Sequence, residues 1–119
     1  MKKILFASVG SSLATLLLVY SLGAASPVSR KVVLENVRVV VTERSIPPGG
    51  VRESYIRPSD QVIVFLNETS YDRIDPKTGG KITRHRKAGE VIWHSRGELA
   101  PRLVNVGSGP MRSLMIALK

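Results

Sequence analysis

Few side chains in this sequence could move a proton or hold a metal. It contains two histidines, His85 and His94, and no cysteine. Without Cys there is no thiolate nucleophile, no thiolate metal ligand and no disulfide. The nearest carboxylates to the two histidines, Glu90 and Glu98, fall in turn or loop segments. Two imidazoles alone make a loose metal site, and no Ser-His-Asp arrangement can be argued from them. Both histidines read as surface or rim residues.

The abundant chemical group is cationic. Lys and Arg number 18 against 9 Asp and Glu, a formal net charge of +9, with Arg ahead of Lys. A guanidinium stays charged at any working pH and offers paired N–H donors to a carboxylate or phosphate. The longest basic run is Arg84-His85-Arg86-Lys87, too short for a polybasic tail, and nucleic acid is not an expected partner. Small anions, acidic sugars or acidic lipids are the partners such a balance suits outside the cytoplasm. The same surplus also serves to keep a small domain soluble.

The elements that must carry these groups begin with a leader. Lys2 and Lys3 precede an uncharged stretch from Ile4 to Ser29, most apolar over Leu13–Leu22 and ending in Gly23-Ala24-Ala25-Ser26-Pro27. A positive start, an apolar middle and a small-residue end form a signal peptide, here a signal helix over residues 1–25 cut after Ala25. The alternative is an uncleaved anchor, since roughly 20 apolar residues span a bilayer. Membrane association is expected only in that case. Both place the remainder outside the cytoplasm, periplasmic or secreted. Removing Lys2 and Lys3 leaves 16 basic against 9 acidic residues, a net +7.

Beyond the leader, residues 26–36 read as a lead-in strand and 37–119 as one small domain. No helical periodicity is sustained there. Short β-branched runs alternate with Gly, Pro, Asp and Asn. Strands are expected over 32–36, 37–44, 61–67, 69–74, 81–86, 91–94, 102–106 and 111–118, with 61–67 central because Val62–Leu66 is apolar on both faces. Pro47-Pro48-Gly49-Gly50 and Asp75–Gly80 are turn signals. Trp93, within Val91-Ile92-Trp93, is expected in the core, as are Met111 and Met115 on one face with Ser113. The spacing of strands and turns suggests a sandwich or barrel.

From about Val37 to Lys119 the chain resembles the cupin superfamily of jelly-roll barrels. Three pieces carry the resemblance: Pro47-Pro48-Gly49-Gly50 followed by Gln61–Leu66, Ala88-Gly89-Glu90-Val91-Ile92-Trp93, and Val104-Asn105-Val106-Gly107-Ser108-Gly109-Pro110-Met111-Arg112. The implied fold is all-β, a cupin-like jelly-roll β-barrel behind the signal helix. The family's metal ligands, three His and one Glu, map onto Tyr55, Arg57, Gln61 and either Ala100 or Pro101. A guanidinium at a ligand position opposes a cation: at about 4 Å and an effective dielectric near 20, unit like charges repel by about 4 kcal/mol. No metal or other cofactor is therefore expected, and the family's metal-dependent oxygenase and isomerase activities are not carried over. The resemblance instead implies that Tyr55, Arg57 and Gln61 line a cavity, with Arg52, Arg96 and Arg102 in or beside nearby loops. The expected binding set is Tyr55, Arg57, Gln61 and Arg102, holding a small anionic or sugar-like ligand or serving an accessory module. A bland reading pairs Arg57 with Asp60 or Glu53. Two alternatives stand beside it: a metal-independent isomerase or epimerase with Tyr55 as acid, and a protein–protein interaction domain. The resemblance also admits a homodimer.

Overall fold

The computed structural model describes residues 28–119, so the expected leader and its cleavage site lie outside the described residues. Eleven strands follow in order: β1 Ser29–Glu35, β2 Val39–Ile46, β3 Val51–Arg52, β4 Tyr55–Ile56, β5 Gln61–Phe65, β6 Thr69–Ile74, β7 Lys81–Arg86, β8 Val91–His94, β9 Leu99–Ala100, β10 Arg102–Asn105 and β11 Met111–Leu118. They form a five-stranded sheet in the order β1-β2-β11-β5-β8, a four-stranded sheet β3-β10-β6-β7, and a two-stranded ribbon β4-β9. Every pairing is antiparallel.

Local chemistry sets most boundaries. Asn36 Oδ1 accepts the amides of Arg38 and Val39 at 2.8 and 3.0 Å, closing the β1–β2 hairpin. β2 runs past the expected end at Arg44 to Ile46, where Pro47 removes the ladder N–H. Asp75 accepts from Lys77 and Thr78 at 2.8 and 3.1 Å, and Gly79 takes φ 74°, making the β6–β7 turn. β5 lies between β11 and β8, the internal position expected of an apolar run. β3, β4 and β9, two residues each, carry no periodic signal and were not foreseen.

The core lies between the sheets. Ile46, Ile63, Phe65, Tyr71, Leu103 and Met111 are buried there, with Val28, Ile92 and Met115 packed against them. Met111, Met115 and Ser113 share this inner face as expected. Trp93 does not: it is 53% exposed. Its neighbours Ile92 and His94 face inward, so alternation turns Trp93 to the outer face, where its Nε1 donates to Ser95 Oγ at 3.1 Å. The expected succession of strands at 81–86 and 91–94 also changes meaning. The Lys87–Glu90 turn carries the chain from one sheet to the other, so β7 and β8 are not paired.

Candidate functional site

Inner-face alternation brings arginines together. On the five-stranded sheet Arg44 of β2 stands opposite Ser113 of β11, and Gln61 of β5 stands opposite His94 of β8. On the facing sheet Arg52 of β3, Leu103 of β10 and Arg73 of β6 form one row. Arg57 follows β4 and is held by its own backbone: its amide donates to Glu98 O and its carbonyl accepts Gly97 N, both at 2.9 Å. Gly97 takes φ 87° in that turn, a conformation glycine adopts without steric cost.

These residues surround a small cavity of about 50 Å³. Arg44, Arg52, Arg57, Arg73, Arg86, His94 and Pro101 supply its polar wall. Ile63, Phe65, Tyr71, Ile92, Leu103 and Met111 supply the apolar one. No carboxylate is among the lining residues. Arg44, Arg52 and Arg57 are 3%, 5% and 5% exposed, which for arginine demands a counter-charge or a full set of acceptors.

The acceptors present fall short. Arg57 Nη1 donates to Gln61 Oε1 at 3.1 Å and to Tyr55 OH at 3.5 Å, and its Nε lies 4.0 Å from Glu98 Oε1. Arg44 Nη2 reaches only Ser113 Oγ at 3.5 Å, and Arg52 Nη2 donates to Pro101 O. The Nε atoms of Arg44, Arg52 and Arg57 are all buried without a hydrogen-bond partner. Tyr55 lies between two of the guanidiniums, its ring centroid 5.3 Å from Arg52 and 5.7 Å from Arg57. Desolvation, with Arg44 and other guanidiniums added, pushes Arg52 down to about 10; desolvation also lowers Arg44 and Arg57. Arg86 differs, since Tyr71 OH at 3.1 Å and Glu90 Oε2 at 2.6 Å satisfy it.

His94 belongs to this wall as well. Its Nδ1 lies 3.3 Å from Glu98 Oε1. Desolvation, followed by the charge of Arg57, lowers its pKa. Glu98 is lowered chiefly by the Ser95 amide, then by His94 and Arg57.

Of the expected binding set, only Arg57 lines the cavity, while Tyr55 and Gln61 stand behind it as hydrogen-bond partners of its guanidinium. Arg102 does neither. As the neighbour of inward Leu103 it faces the other way and donates from Nε to Glu53 Oε1 at 3.2 Å. Arg96 also stays out, exposed, with its amide donating to Asp60 Oδ1 at 2.8 Å. Asp60 and Glu53 are thus engaged elsewhere, and Arg57 pairs with neither. His85 is a surface residue, bonded to Ser70 Oγ and Glu68 Oε2, each at 2.8 Å. His94, expected at the surface or rim, is instead a wall residue. Arg44, Arg73, Arg86 and His94 were missed because their positions follow from sheet pairing.

The positions assigned by resemblance to metal ligands converge here, with Pro101 at the cavity and Ala100 opposite Tyr55 in the ribbon. Their chemistry does not suit a divalent cation. Gln61 Oε1 already accepts from Arg57, and three desolvated guanidiniums surround the place. Among the described residues no group of three His, Asp or Glu gathers to hold a metal.

No protein-family model matches the sequence, and no curated protein matches it. Solved structures do match. A cupin domain from Bordetella pertussis Tohama I superposes with TM-score 0.70 at 23% identity, over 80% of this chain and 96% of that one. The polyketide cyclase RemF from Streptomyces resistomycificus gives 0.63 at 23%, over 79% and 66%. KdgF from Halomonas sp. gives 0.59 at 12%, over 76% and 77%.

Proposed function

From the premise that this chain has the cupin fold, we propose that it is an exported binding domain whose barrel holds a small anionic ligand without a metal. Export rests on the leader pattern of residues 1–25. Binding rests on one observation above the others: Arg44, Arg52 and Arg57 are buried around one cavity with every Nε unpartnered. An anion in the cavity supplies the acceptors and the charge that the protein omits. Carboxylates, phosphates and acidic sugars share that chemistry. Thermal shift against phosphate, sulfate and small carboxylates tests it. The intact protein should be stabilised by several degrees and the Arg57→Ala variant by at least threefold less. Equal shifts in the two proteins would remove Arg57 from the site.

The enzyme reading has a specific support in His94, which faces the cavity with Nδ1 turned to Glu98. An imidazole so oriented offers Nε2 as a base to a C–H acid held by the arginines. Solvent deuterium incorporation into cavity-bound carboxylic acids, absent in His94→Gln, would favour it over simple binding.

The assembly reading rests on the outer face of the five-stranded sheet. Leu34, Val41, Ile116, Val62 and Trp93 stand opposite one another across all five strands, beside Leu114, Val64 and Val91. A second copy of this chain suits that face. The cavity arginines lie on the sheet's other side, and Glu43 beside it pairs with Arg112 at 2.7 Å, so two apolar faces can meet without net repulsion. Sedimentation velocity reads the outcome.

A further inference from the structure

A partly apolar recess adjoins the arginine cavity. Arg73 and Pro101 line the cavity and also a second hollow of about 180 Å³, shared with Pro76, Ile82 and Leu99. Ile82 follows Arg73 in the β6–β7 register, so its side chain lies on the same face of that sheet. Leu99 arrives from the β4–β9 ribbon. Ile82 is 55% exposed and Leu99 41% exposed, two aliphatic side chains left in water at the mouth of a cationic pocket.

Neither half of this arrangement is satisfied by the ligand that suits the other. A bare oxyanion would answer the guanidiniums and leave Ile82 and Leu99 wet. A purely apolar molecule would cover those side chains and leave three buried Nε atoms unpartnered. We propose that the ligand is an amphiphilic oxyanion, its carboxylate or phosphate head among Arg44, Arg52 and Arg57 and its apolar body on Ile82, Leu99 and Pro101. This deepens the anion reading above and rests on it. Asp75 bears on the orientation of that ligand. It is the one carboxylate lining the recess, fixed on its own loop by the amides of Lys77 and Thr78. Its charge opposes an anionic head in the recess, although Arg73 lines it too, and leaves an uncharged body unopposed, which favours the head in the arginine cavity.

Titration calorimetry on the purified protein separates the two claims, comparing inorganic phosphate with phenyl phosphate and acetate with phenylacetate. The phenyl-bearing member of each pair should bind at least tenfold more tightly than its bare head. Ile82→Ser and Leu99→Ser, both at exposed positions that folding tolerates, should cut that margin below threefold while leaving the affinity for phosphate unchanged. Equal affinity within each pair overturns the amphiphile and leaves the anion reading standing. A tenfold margin that survives both substitutions places the apolar contact elsewhere and also overturns it. Absence of binding by all four compounds overturns the anion reading itself, and this inference with it.

Discussion

Arg44 illustrates what a buried, unpaired guanidinium costs a fold. The residue is 3% exposed, has no carboxylate within 4.0 Å among the described residues, and stands opposite Arg30 in the β1–β2 pair. Removing a desolvated and uncompensated charge in favour of an apolar side chain of similar volume is neutral or stabilising, by about 1–4 kcal/mol. Arg44→Met is therefore expected to raise the melting temperature of the ligand-free protein by several degrees and to abolish its stabilisation by anions. A melt with and without phosphate reads both effects, and a lowered melting temperature would mean that Arg44 is satisfied as it stands. His94 carries a prediction of the same kind in pH. Its folded pKa lies below its unfolded one, so the unfolded chain binds more protons and stability rises with pH. Its contribution is complete above about pH 6.5 and is lost as the pH falls through the unfolded value toward the folded one. Glu98 and Glu90, also lowered, add losses in the same direction at lower pH, through the carboxylate range. In melts between pH 7.5 and 5.5, His94→Gln should flatten the slope. A bound anion should restore the protonated imidazole and weaken the slope in the parent protein.

The strands deliver these side chains only because the loops between them are tied. Asn105, at the end of β10, is 1% exposed and bridges three segments. Its Nδ2 donates to Ile46 O and to Gly109 O, both at 2.9 Å, and its Oδ1 accepts the Gly107 amide at 2.9 Å. Around it the backbone closes, with Gly49 N donating to Asn105 O at 2.9 Å and Asn105 N to Gly50 O at 3.0 Å. Gly50 has no room for a side chain there, since a Cβ would stand 2.8 Å from Pro47 O and 2.9 Å from Ile46 Cγ2. This knot joins the end of β2, which carries Arg44, to β3, which carries Arg52. Asn105→Ala leaves buried backbone groups unpaired, at about 1–3 kcal/mol for each group that water cannot reach. Chemical denaturation should show a loss in that range with the slope unchanged. A loss below about 0.5 kcal/mol would mean that solvent replaces the amide.

At the scale of the whole molecule the two faces of the five-stranded sheet differ in character. The inner face, with Arg44 on it, closes over the arginines of the facing sheet, and the outer face presents an apolar row ending in Trp93. If that row joins two copies, Trp93→Arg should shift the dimer toward monomer by at least tenfold in dissociation constant without changing phosphate binding. Sedimentation of the parent protein as a monomer at high concentration would remove the assembly reading.

Much of this architecture was legible in the residues themselves. Alternation, Pro47 and the Asp75–Gly80 turn mark most of the long strands, because backbone hydrogen bonding and steric restriction act over a few neighbours. The internal position of β5 followed from an apolar run with no polar face. Tyr55, Arg57 and Gln61 were singled out through the resemblance to the cupin motif, counted from Gly49, and hydrogen bonds join the three. Other assignments depended on which sheet a strand joins. Trp93 looked like core until the pairing of β8 with β5 turned it outward, and Arg102 looked like a ligand until Leu103 claimed the inner face of β10. Arg44, Arg52, Arg73 and His94 share no local pattern and meet only because two sheets close over one another. Local sequence determined the strands and the cationic surplus, through interactions of short range. The tertiary structure decided which charges lost their water, since desolvation is a property of the space that distant segments enclose.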